Sequence, residues 1–584
     1  MSTRVAPAVV VLGENSVAIG RQIMRVLPGA TLYGLAGRTS AVDVSFTNFG
    51  ETLRELFAAG TPLIGICAAG ILIRTLAPML IDKGLEPPVL AVAEDGSAVV
   101  PLLGGLNGVN DLARLIAEAL DIQAAITTTG DLRFRTALFS PPPGYRLANP
   151  EDAKKFISDL LAGAQVKLEG TAPWLSDSRL PIDPKGDLTI QITEQLPKIT
   201  ANCLVYHPAT VAIAISGVVG REKETVALVR QLLTDAKLSP ASVAGIFAPL
   251  TISAESAIHA VANALKVPTR FFNTTDLAAF LSQGYSPAQA AALAATGASG
   301  QLIFPPSDSP YSPLAIAISP QIIDPSTKGQ PRGRLAIVGT GPGSQEWMSP
   351  QVKEILQSAT DLVGYKTYLD LIGSLGDGKR RHESDNRQEE ARAMMALDLA
   401  AEGRYVAVVS SGDPGIYAMA AAVFEVLDRH PRLEWQTIEI QVAPGISAMQ
   451  AAAAAIGAPL GHDFCAISLS DILKPWEIIK QRIAAAAQAD FVIAFYNPVS
   501  KERTWQLTEA KDILLQYRTP DTPVVLARNL GRPGQTVKAI ALEQLEPADA
   551  DMRTIILVGS TQTRKIRCSN HNVWVYTPRR YTGA

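Results

Sequence analysis

Three glycine-bearing segments in the C-terminal half each follow an apolar run. They are Gly339-Thr340-Gly341-Pro342-Gly343-Ser344 after Arg334–Val338, Ser410-Ser411-Gly412-Asp413-Pro414-Gly415-Ile416-Tyr417 after Val406–Val409, and Ala443-Pro444-Gly445-Ile446-Ser447-Ala448 after Ile438–Val442. Glycine lets main chain approach a ligand closely, so such turns can present backbone donors and acceptors. The first segment alone also has a reading as a tight strand-to-helix turn without a ligand. It is not a dinucleotide fingerprint, because Ser344 stands where G-x-G-x-x-G needs its last glycine, and it lacks the Gly-Lys-Ser/Thr ending of a phosphate loop. Three such loops at strand ends say more, since in open α/β sheets they gather beyond the carboxyl edge, where ligands bind. A pocket built largely of backbone groups suits a zwitterionic ligand with an amino-acid end, a ribose and a base. For Asp413 two readings stand: a turn residue capping the following helix, or a direct ligand contact. The Gly412–Gly415 stretch is expected to leave no room for a Cβ.

These loops need a scaffold of alternating strands and helices, and the chain supplies one. After a proline- and glycine-rich junction at 305–334, which flanks one short strand at Leu314–Ile318, the sequence restarts with strand Arg334–Val338, helix Pro350–Ser358 and strand Asp361–Gly364. Upstream, a first unit of about 1–140 carries strands at Ala8–Leu12, Leu63–Ile66 and Val89–Val92, with helices from Ala69 and Asn110, and ends at Pro141-Pro142-Pro143-Gly144. A middle region, 145–206, has a helix at Asp152–Leu161, a turn at Trp174–Asp177 and a strand at Leu188–Ile192. A third unit, 207–320, opens with strand Val211–Ile215 and continues through helix Glu224–Asp235, strand Val243–Phe247 and helix Ala254–Leu265. Residues 321–333 read as a linker and 334–580 as a two-lobed unit, so the fold class is α/β throughout.

With 584 residues, one core is excluded, because domains commonly run about 100–200 residues. Lys plus Arg is 52 against 55 Asp plus Glu, a net charge of −3 that gives no global attraction to nucleic acid or an anionic membrane. Cys67, Cys203, Cys465 and Cys568 form no C-x-x-C pair, so neither a disulfide framework nor a zinc or iron–sulfur site is written here. The alanine-rich run Ala448–Leu460 falls short of the roughly 20 residues that span a bilayer. Near the N-terminus, Arg4 and the short run Val9–Leu12 are too little for a signal peptide. The expectation is a soluble, cytoplasmic protein with no bound metal.

The three loops, in this order, resemble those of the tetrapyrrole methyltransferases, and specifically the precorrin-3B C17-methyltransferase family. Further matching stretches are Leu362-Val363-Gly364-Tyr365, a helix at Asn386–Ala393, Gly457-Ala458-Pro459-Leu460-Gly461-His462-Asp463-Phe464, Ser468-Leu469-Ser470-Asp471, Phe495-Tyr496-Asn497-Pro498 and Ala527-Arg528-Asn529-Leu530-Gly531-Arg532. The likeness covers about 334–580. It implies two α/β lobes with S-adenosyl-L-methionine folded in the cleft between them, a corrin-ring substrate, and a homodimer through this unit. Carried over as cofactor-binding are Gly339, Gly341, Pro342, Gly343, Gly412, Asp413, Pro414, Gly415, Ile416, Tyr417, Ser447 and Ala448. The implied reaction is methylation of ring carbon C17 of precorrin-3B, or its cobalt-bearing counterpart, with contraction of the macrocycle.

Methyl transfer from a sulfonium needs alignment and exclusion of water rather than a nucleophilic side chain. Ring contraction adds a place for a general acid or base. By position the candidates are Asp471, Ser470, His462 and Tyr496, each of which also has a purely structural reading. Basic groups to meet the substrate's carboxylates are Lys379-Arg380-Arg381-His382, Lys501 with Arg503, and Arg528 with Arg532. The first cluster reads as a solvated face, and Arg528 and Arg532 are the expected substrate ligands.

In the N-terminal half, Cys67-Ala68-Ala69-Gly70-Ile71-Leu72-Ile73-Arg74, Leu76-Ala77-Pro78, Pro88–Gly96, Leu102-Leu103-Gly104-Gly105 and Ile126-Thr127-Thr128-Thr129-Gly130-Asp131 resemble the cobalt-precorrin-5A hydrolase family over about 1–320. That family opens a ring lactone and releases acetaldehyde. Where its members carry histidine after the Gly-Gly pair, Leu106 and Asn107 stand here. Where they carry an Arg-bearing turn and a glutamate, the chain has Ser216-Gly217-Val218-Val219-Gly220 and Pro287-Ala288-Gln289-Ala290. The resemblance therefore implies the hydrolase fold but not its activity, and the chain reads as a fusion of two corrin-pathway proteins. Two other readings are a methyltransferase of this fold acting on RNA or protein, and a first half that only binds or scaffolds. The Ser468–Asp471 and Tyr496–Pro498 motifs and the lack of a basic surplus weigh against the former.

Overall fold

Apolar runs of four to six residues, separated by alanine-rich helical stretches, build largely parallel sheets because connecting helices cover both faces of each strand. The computed structural model describes residues 6–81, 85–105, 107–197, 200, 202–217, 221–304, 313–385, 388–567 and 573–580. Arg4, Leu106, Val218, Val219, Gly220, Asn386, Arg387, Cys568 and the proline-rich stretch 305–310, all used in reading the sequence, lie outside those residues. The chain divides into two compact units, Met1–Arg332 and Gly333–Ala584. Among the described residues, no helix is long and apolar enough to cross a membrane, and no group of three or more His, Cys, Asp or Glu side chains could hold a metal ion.

Among the described residues the first unit contains three sheets. The first orders its strands Val44–Phe46, Thr31–Leu35, Ala8–Val11, Leu63–Ile66, Val89–Val92 and Val99–Leu103, with only the last antiparallel to its neighbour. A four-stranded sheet follows, ordered Tyr145–Leu147, Cys203–Pro208, Leu188–Ile192 and Val166–Glu169. Read as a turn, Trp174–Asp177 lies largely in a short helix, Pro173–Ser176. The third sheet orders Thr269–Phe272, Val243–Pro249, Val211–Ile215, Leu314–Ile318 and Gln301–Phe304.

Residues 325–330, inside the stretch read as a linker, are tied to the open edge of this third sheet. Arg270 donates from Nε to the Lys328 carbonyl (2.9 Å) and from one terminal nitrogen to the carbonyls of Ser326 (2.9 Å) and Gly329 (3.0 Å). Gln330 and Phe271 exchange backbone hydrogen bonds of 2.7 and 2.8 Å.

The second unit has two main sheets. The first lobe orders five parallel strands: Arg380–Ser384, Asp361–Tyr365, Tyr405–Ser410, Arg334–Gly339 and Glu439–Ala443. Its strands alternate sides with a period of two. Leu335, Ile337, Val406 and Val408 pack on Ala393, Ala396, Leu397 and Ala400 of helix Glu389–Ala401, while Ala336, Val338, Ala407 and Val409 face Val352, Ile355 and Leu356 of helix Pro350–Ser358. Small alanines let the first helix sit close to the sheet, which fixes where the strand ends fall. The second lobe orders Phe464–Ser468, Val492–Tyr496, Thr554–Val558, Pro523–Arg528 and Thr536–Ala541. Its first, second and fourth strands run in one direction, so Ser468, Tyr496 and Arg528 end at a common edge. A small third sheet joins Gly457–Ala458, Val573–Tyr576 and Arg564–Arg567.

Candidate active site

The three glycine loops meet at the carboxyl edge of the first lobe. Gly341 and Gly412 exchange backbone hydrogen bonds of 3.2 and 2.8 Å, both with left-handed backbone (φ +77° and +70°). A Cβ on Gly339 would sit 2.5 Å from the Gly412 carbonyl, 2.6 Å from Pro414 Cδ and 2.8 Å from the Gly445 nitrogen, so the three loops touch here and only glycine fits. Asp413 closes the arrangement: one carboxylate oxygen accepts from Gly415 N (2.8 Å), the other from Gly445 N (3.2 Å). Asp413 therefore does not cap the following helix Met419–Arg429, whose first amide instead faces Ser410 Oγ at 3.4 Å.

Gly412 itself differs from the sequence expectation. A Cβ there would meet nothing nearer than Ala448 N at 4.0 Å, so it is the left-handed backbone rather than crowding that asks for glycine. The space beyond it opens toward the third loop. There Ser447 caps helix Ala448–Ile456, its hydroxyl accepting from Gln450 N (3.2 Å) while the Gln450 side chain accepts from Ser447 N (3.0 Å). A cavity of about 450 Å³ lies beside this loop, lined by Glu346, Trp347, Pro444, Gly445, Ile446 and Gln450 among others.

Side chains cross between the lobes in both directions. Tyr417, at the end of the second loop with φ +52°, donates its hydroxyl to the Ala466 carbonyl (2.9 Å), and its ring lies 5.3 Å from that of Tyr496. In the opposite direction Arg532 donates from Nε to the Pro342 carbonyl (2.9 Å) and from a terminal nitrogen to Ser411 Oγ (3.0 Å). Gly343 makes room for it: a Cβ there would fall 2.4 Å from Arg532 Cγ. The guanidinium is thus engaged by the first two loops, where the sequence assigned it to the substrate. Ser411 and Gly445 were missed as fastening points, although both stand inside the loops the sequence singled out.

At the edge of the second lobe, Ser468 Oγ accepts from Asn497 Nδ2 (3.2 Å) and Ser470 N (3.3 Å), and Asp471 accepts from Gln506 Nε2 (3.0 Å). Buried Arg503 donates to the Asn497 carbonyl (2.9 Å) and reaches Ser470 Oγ at 3.5 Å. Tyr496 accepts from Met449 N (3.3 Å). Asp471, Ser470 and Tyr496 therefore stand at the carboxyl edge of the second lobe, whereas His462 does not. It precedes Phe464, at the other end of a strand whose last residue, Ser468, is four positions on, roughly 13 Å at the rise of a β-strand. There His462 faces Asp463 (3.6 Å).

With this geometry in hand, comparison with known proteins gives the family. A family model described as Tetrapyrrole (Corrin/Porphyrin) Methylases matches residues 334–546, and one described as Cobalamin synthesis G N-terminal matches residues 51–131. The precorrin-3B C(17)-methyltransferase of a Sinorhizobium species is 49% identical over 252 residues, which are 43% of this chain and 98% of that protein. This chain belongs to the tetrapyrrole methylase family. Cobalamin biosynthesis protein CobIJ of Mycobacterium tuberculosis is 49% identical over 256 residues, 43% of this chain and 49% of its own, so the chain spans about half the length of this relative. A crystal structure of the methyltransferase CobJ shares 49% identity over 42% of this chain and 100% of its own, with a TM-score of 0.40.

In this tetrapyrrole methylase the charges named from sequence are mostly spoken for. Arg528 pairs with Asp551 at 2.9 Å. Lys379 donates to the carbonyls of Gln357 and Ala359 (both 2.8 Å), and His382 and Arg404 meet the fully buried Asp361 at 2.9 and 3.1 Å. Burial lowers the pKa of Arg532 from its ordinary value, and raises those of the Tyr417 and Tyr496 phenols, so both tyrosines stay neutral near pH 7.

The positions in the methylase's first half that depart from the hydrolase pattern carry local structure. Asn107 donates from its side chain to the Glu86 carbonyl (2.7 Å), and Gln289 accepts from Ser286 N (3.0 Å) as the capping partner of helix Pro287–Thr296. The Cys67 thiol is pushed up to about 11 by burial, so it is not a thiolate nucleophile at neutral pH.

Proposed function

We propose that residues 334–580 transfer a methyl group from S-adenosyl-L-methionine to C17 of precorrin-3B, or of its cobalt-bearing counterpart, with contraction of the ring in cobalamin biosynthesis. The observation that carries this reading is the fastening of three glycine loops into one cradle by the Gly341–Gly412 pair and Asp413, in a chain 49% identical to a precorrin-3B C(17)-methyltransferase over 98% of that protein. The cradle fits the cofactor: the open space over Gly412 faces Ala448 N, and Pro444–Ile446 line the adjoining cavity.

When bound, S-adenosylmethionine supplies a methyl on a positively charged sulfur, a good leaving group. The protein's part is to align and to exclude water. Gly339, Gly341, Gly412 and Gly445 bring main chain to the pocket, and Ser447 fixes the start of its helix. Tyr417 and Tyr496 wall the cleft as neutral phenols. Of the acid–base candidates, Asp471, Ser470 and Tyr496 stand at the edge where substrate would lie, and His462 is set aside. The first half is read as a hydrolase-like module without lactonase activity, supported by the structural duties of Asn107 and Gln289.

The test is incubation with S-adenosylmethionine and either precorrin-3B or its cobalt counterpart, followed by mass measurement. A product heavier by one CH2 and methylated at C17 is expected. No methylated product from either substrate, in protein that binds the cofactor, would overturn the reading. Acetaldehyde release from cobalt-precorrin-5A would overturn the reading of the first half.

A further inference from the structure

The substrate of such an enzyme carries carboxylate arms around a flat apolar ring, and cations must meet them. Three of the arginines that sequence offers are engaged: Arg528 by Asp551, Arg532 by Pro342 and Ser411, and Arg503 beneath Asn497 and Ser470. Lys474 is not. Among the described residues it has no hydrogen bond or ion pair, and its ammonium stands 5.8 Å from the centroid of the Tyr417 ring, on the loop that would hold the cofactor.

Among the described residues no carboxylate forms an ion pair with Lys474. A second cation bears on it, exposed Arg482 on helix Trp476–Gln488, which acts on Tyr417 as well. An idle lysine keeps its ammonium in water. This one is drawn partly out of water over a tyrosine, where burial and Arg482 both disfavour its charge. A bound anion would relieve both. Beside it, Leu473 is 97% and Ile472 65% exposed, two adjacent large apolar side chains left to solvent. All three directly follow Ser470 and Asp471, so they leave the same sheet edge as Tyr496.

We propose that Lys474 is a substrate-binding residue that takes a carboxylate arm of the tetrapyrrole, while Ile472 and Leu473 lie against the face of its ring. The inference rests on the reading of this cleft as a tetrapyrrole site and deepens it by naming the cation and the apolar platform. It replaces Arg528 and Arg532 in the role that sequence gave them.

The experiment is an absorbance titration of the full chain with uroporphyrin III, a stable polycarboxylate tetrapyrrole, and with its uncharged methyl ester. S-adenosylmethionine affinity is measured in parallel by calorimetry. Lys474→Met should weaken uroporphyrin III binding about tenfold, the loss of one charge-assisted contact, and leave the ester and the cofactor within about twofold. Lys474→Arg should restore most of the loss. Leu473→Ser should weaken porphyrin and ester alike. Lys480→Met, at a lysine already paired with Glu477 and Glu509, should change neither affinity. If wild-type protein binds uroporphyrin III and Lys474→Met binds it equally well, the assignment of Lys474 fails while the tetrapyrrole reading stands. Equal weakening of porphyrin and cofactor also overturns it, since Lys474 would then act through Tyr417. If the wild-type chain neither binds uroporphyrin III nor methylates a precorrin, the tetrapyrrole reading fails and takes this inference with it.

Discussion

Replacing Arg532 by alanine should cripple cofactor binding before it touches substrate binding. The guanidinium reaches from the second lobe to the first and makes two hydrogen bonds, to the Pro342 carbonyl at 2.9 Å and to Ser411 Oγ at 3.0 Å. Hydrogen bonds from a charged donor are worth about 1.5–3 kcal/mol when buried. Arg532 is only about half buried, so solvent screening puts the pair together, rather than each bond, in that range. On the affinity scale this is a loss of roughly 10- to 150-fold for S-adenosylmethionine. Arg532→Lys keeps the charge but loses the fork, and should recover only part of it. Calorimetry with S-adenosylmethionine and an absorbance titration with a tetrapyrrole separate the two sites, and a thermal melt checks the fold. Unchanged cofactor affinity together with lost tetrapyrrole affinity in folded Arg532→Ala would refute the reasoning and return the residue to the substrate.

Three further outcomes follow from the geometry. Gly339→Ala should abolish cofactor binding, because its Cβ meets rigid backbone at 2.5 Å, whereas Gly412→Ala should cost only the strain of a left-handed residue, about 1–2 kcal/mol; calorimetry on both variants ranks them. Burial raises the Tyr206 phenol well above its ordinary value, so the stability it contributes is present below about pH 10 and is lost as pH rises through the folded value. Tyr206→Phe should cost about 1 kcal/mol at neutral pH, by losing the bond to the Leu138 carbonyl, and flatten the alkaline fall in denaturant midpoint. A fragment beginning at Gly333 should fold and methylate alone, and 1–332 should melt higher than 1–325, which lacks the partners of Arg270 and Phe271; equal melting points for the two N-terminal fragments would contradict the contact.

Four strands of the first lobe were legible from their largely apolar runs, and the loops because glycine at a strand end has few other uses; the fifth, Arg380–Ser384, is charged along its length and read as a solvated face rather than a strand. Asp413 read from sequence as a helix cap or a ligand contact, but its partner Gly445 lies 32 positions away, so nothing local showed that it fastens two loops together. Arg532 and Pro342 are 190 positions apart, and nothing local to either says that they meet. Gly343 looked like a ligand contact, yet its missing side chain accommodates an arginine. His462 lies in a matching motif but at the wrong end of a strand, and a motif carries no sign of which sheet edge it occupies.

The contact between Gln330 and Phe271 also bears on how the chain is made. Synthesis proceeds from the N-terminus, so the residues that cover strand Thr269–Phe272 emerge just ahead of Arg334, where the second unit begins. Until they arrive, that strand presents unpaired amides and carbonyls to any neighbouring chain on the same messenger. The first unit can therefore complete itself only as the ribosome enters the second. A gene split placed upstream of codon 330 would release the first product with a sticky edge, whereas one placed after codon 332 would not.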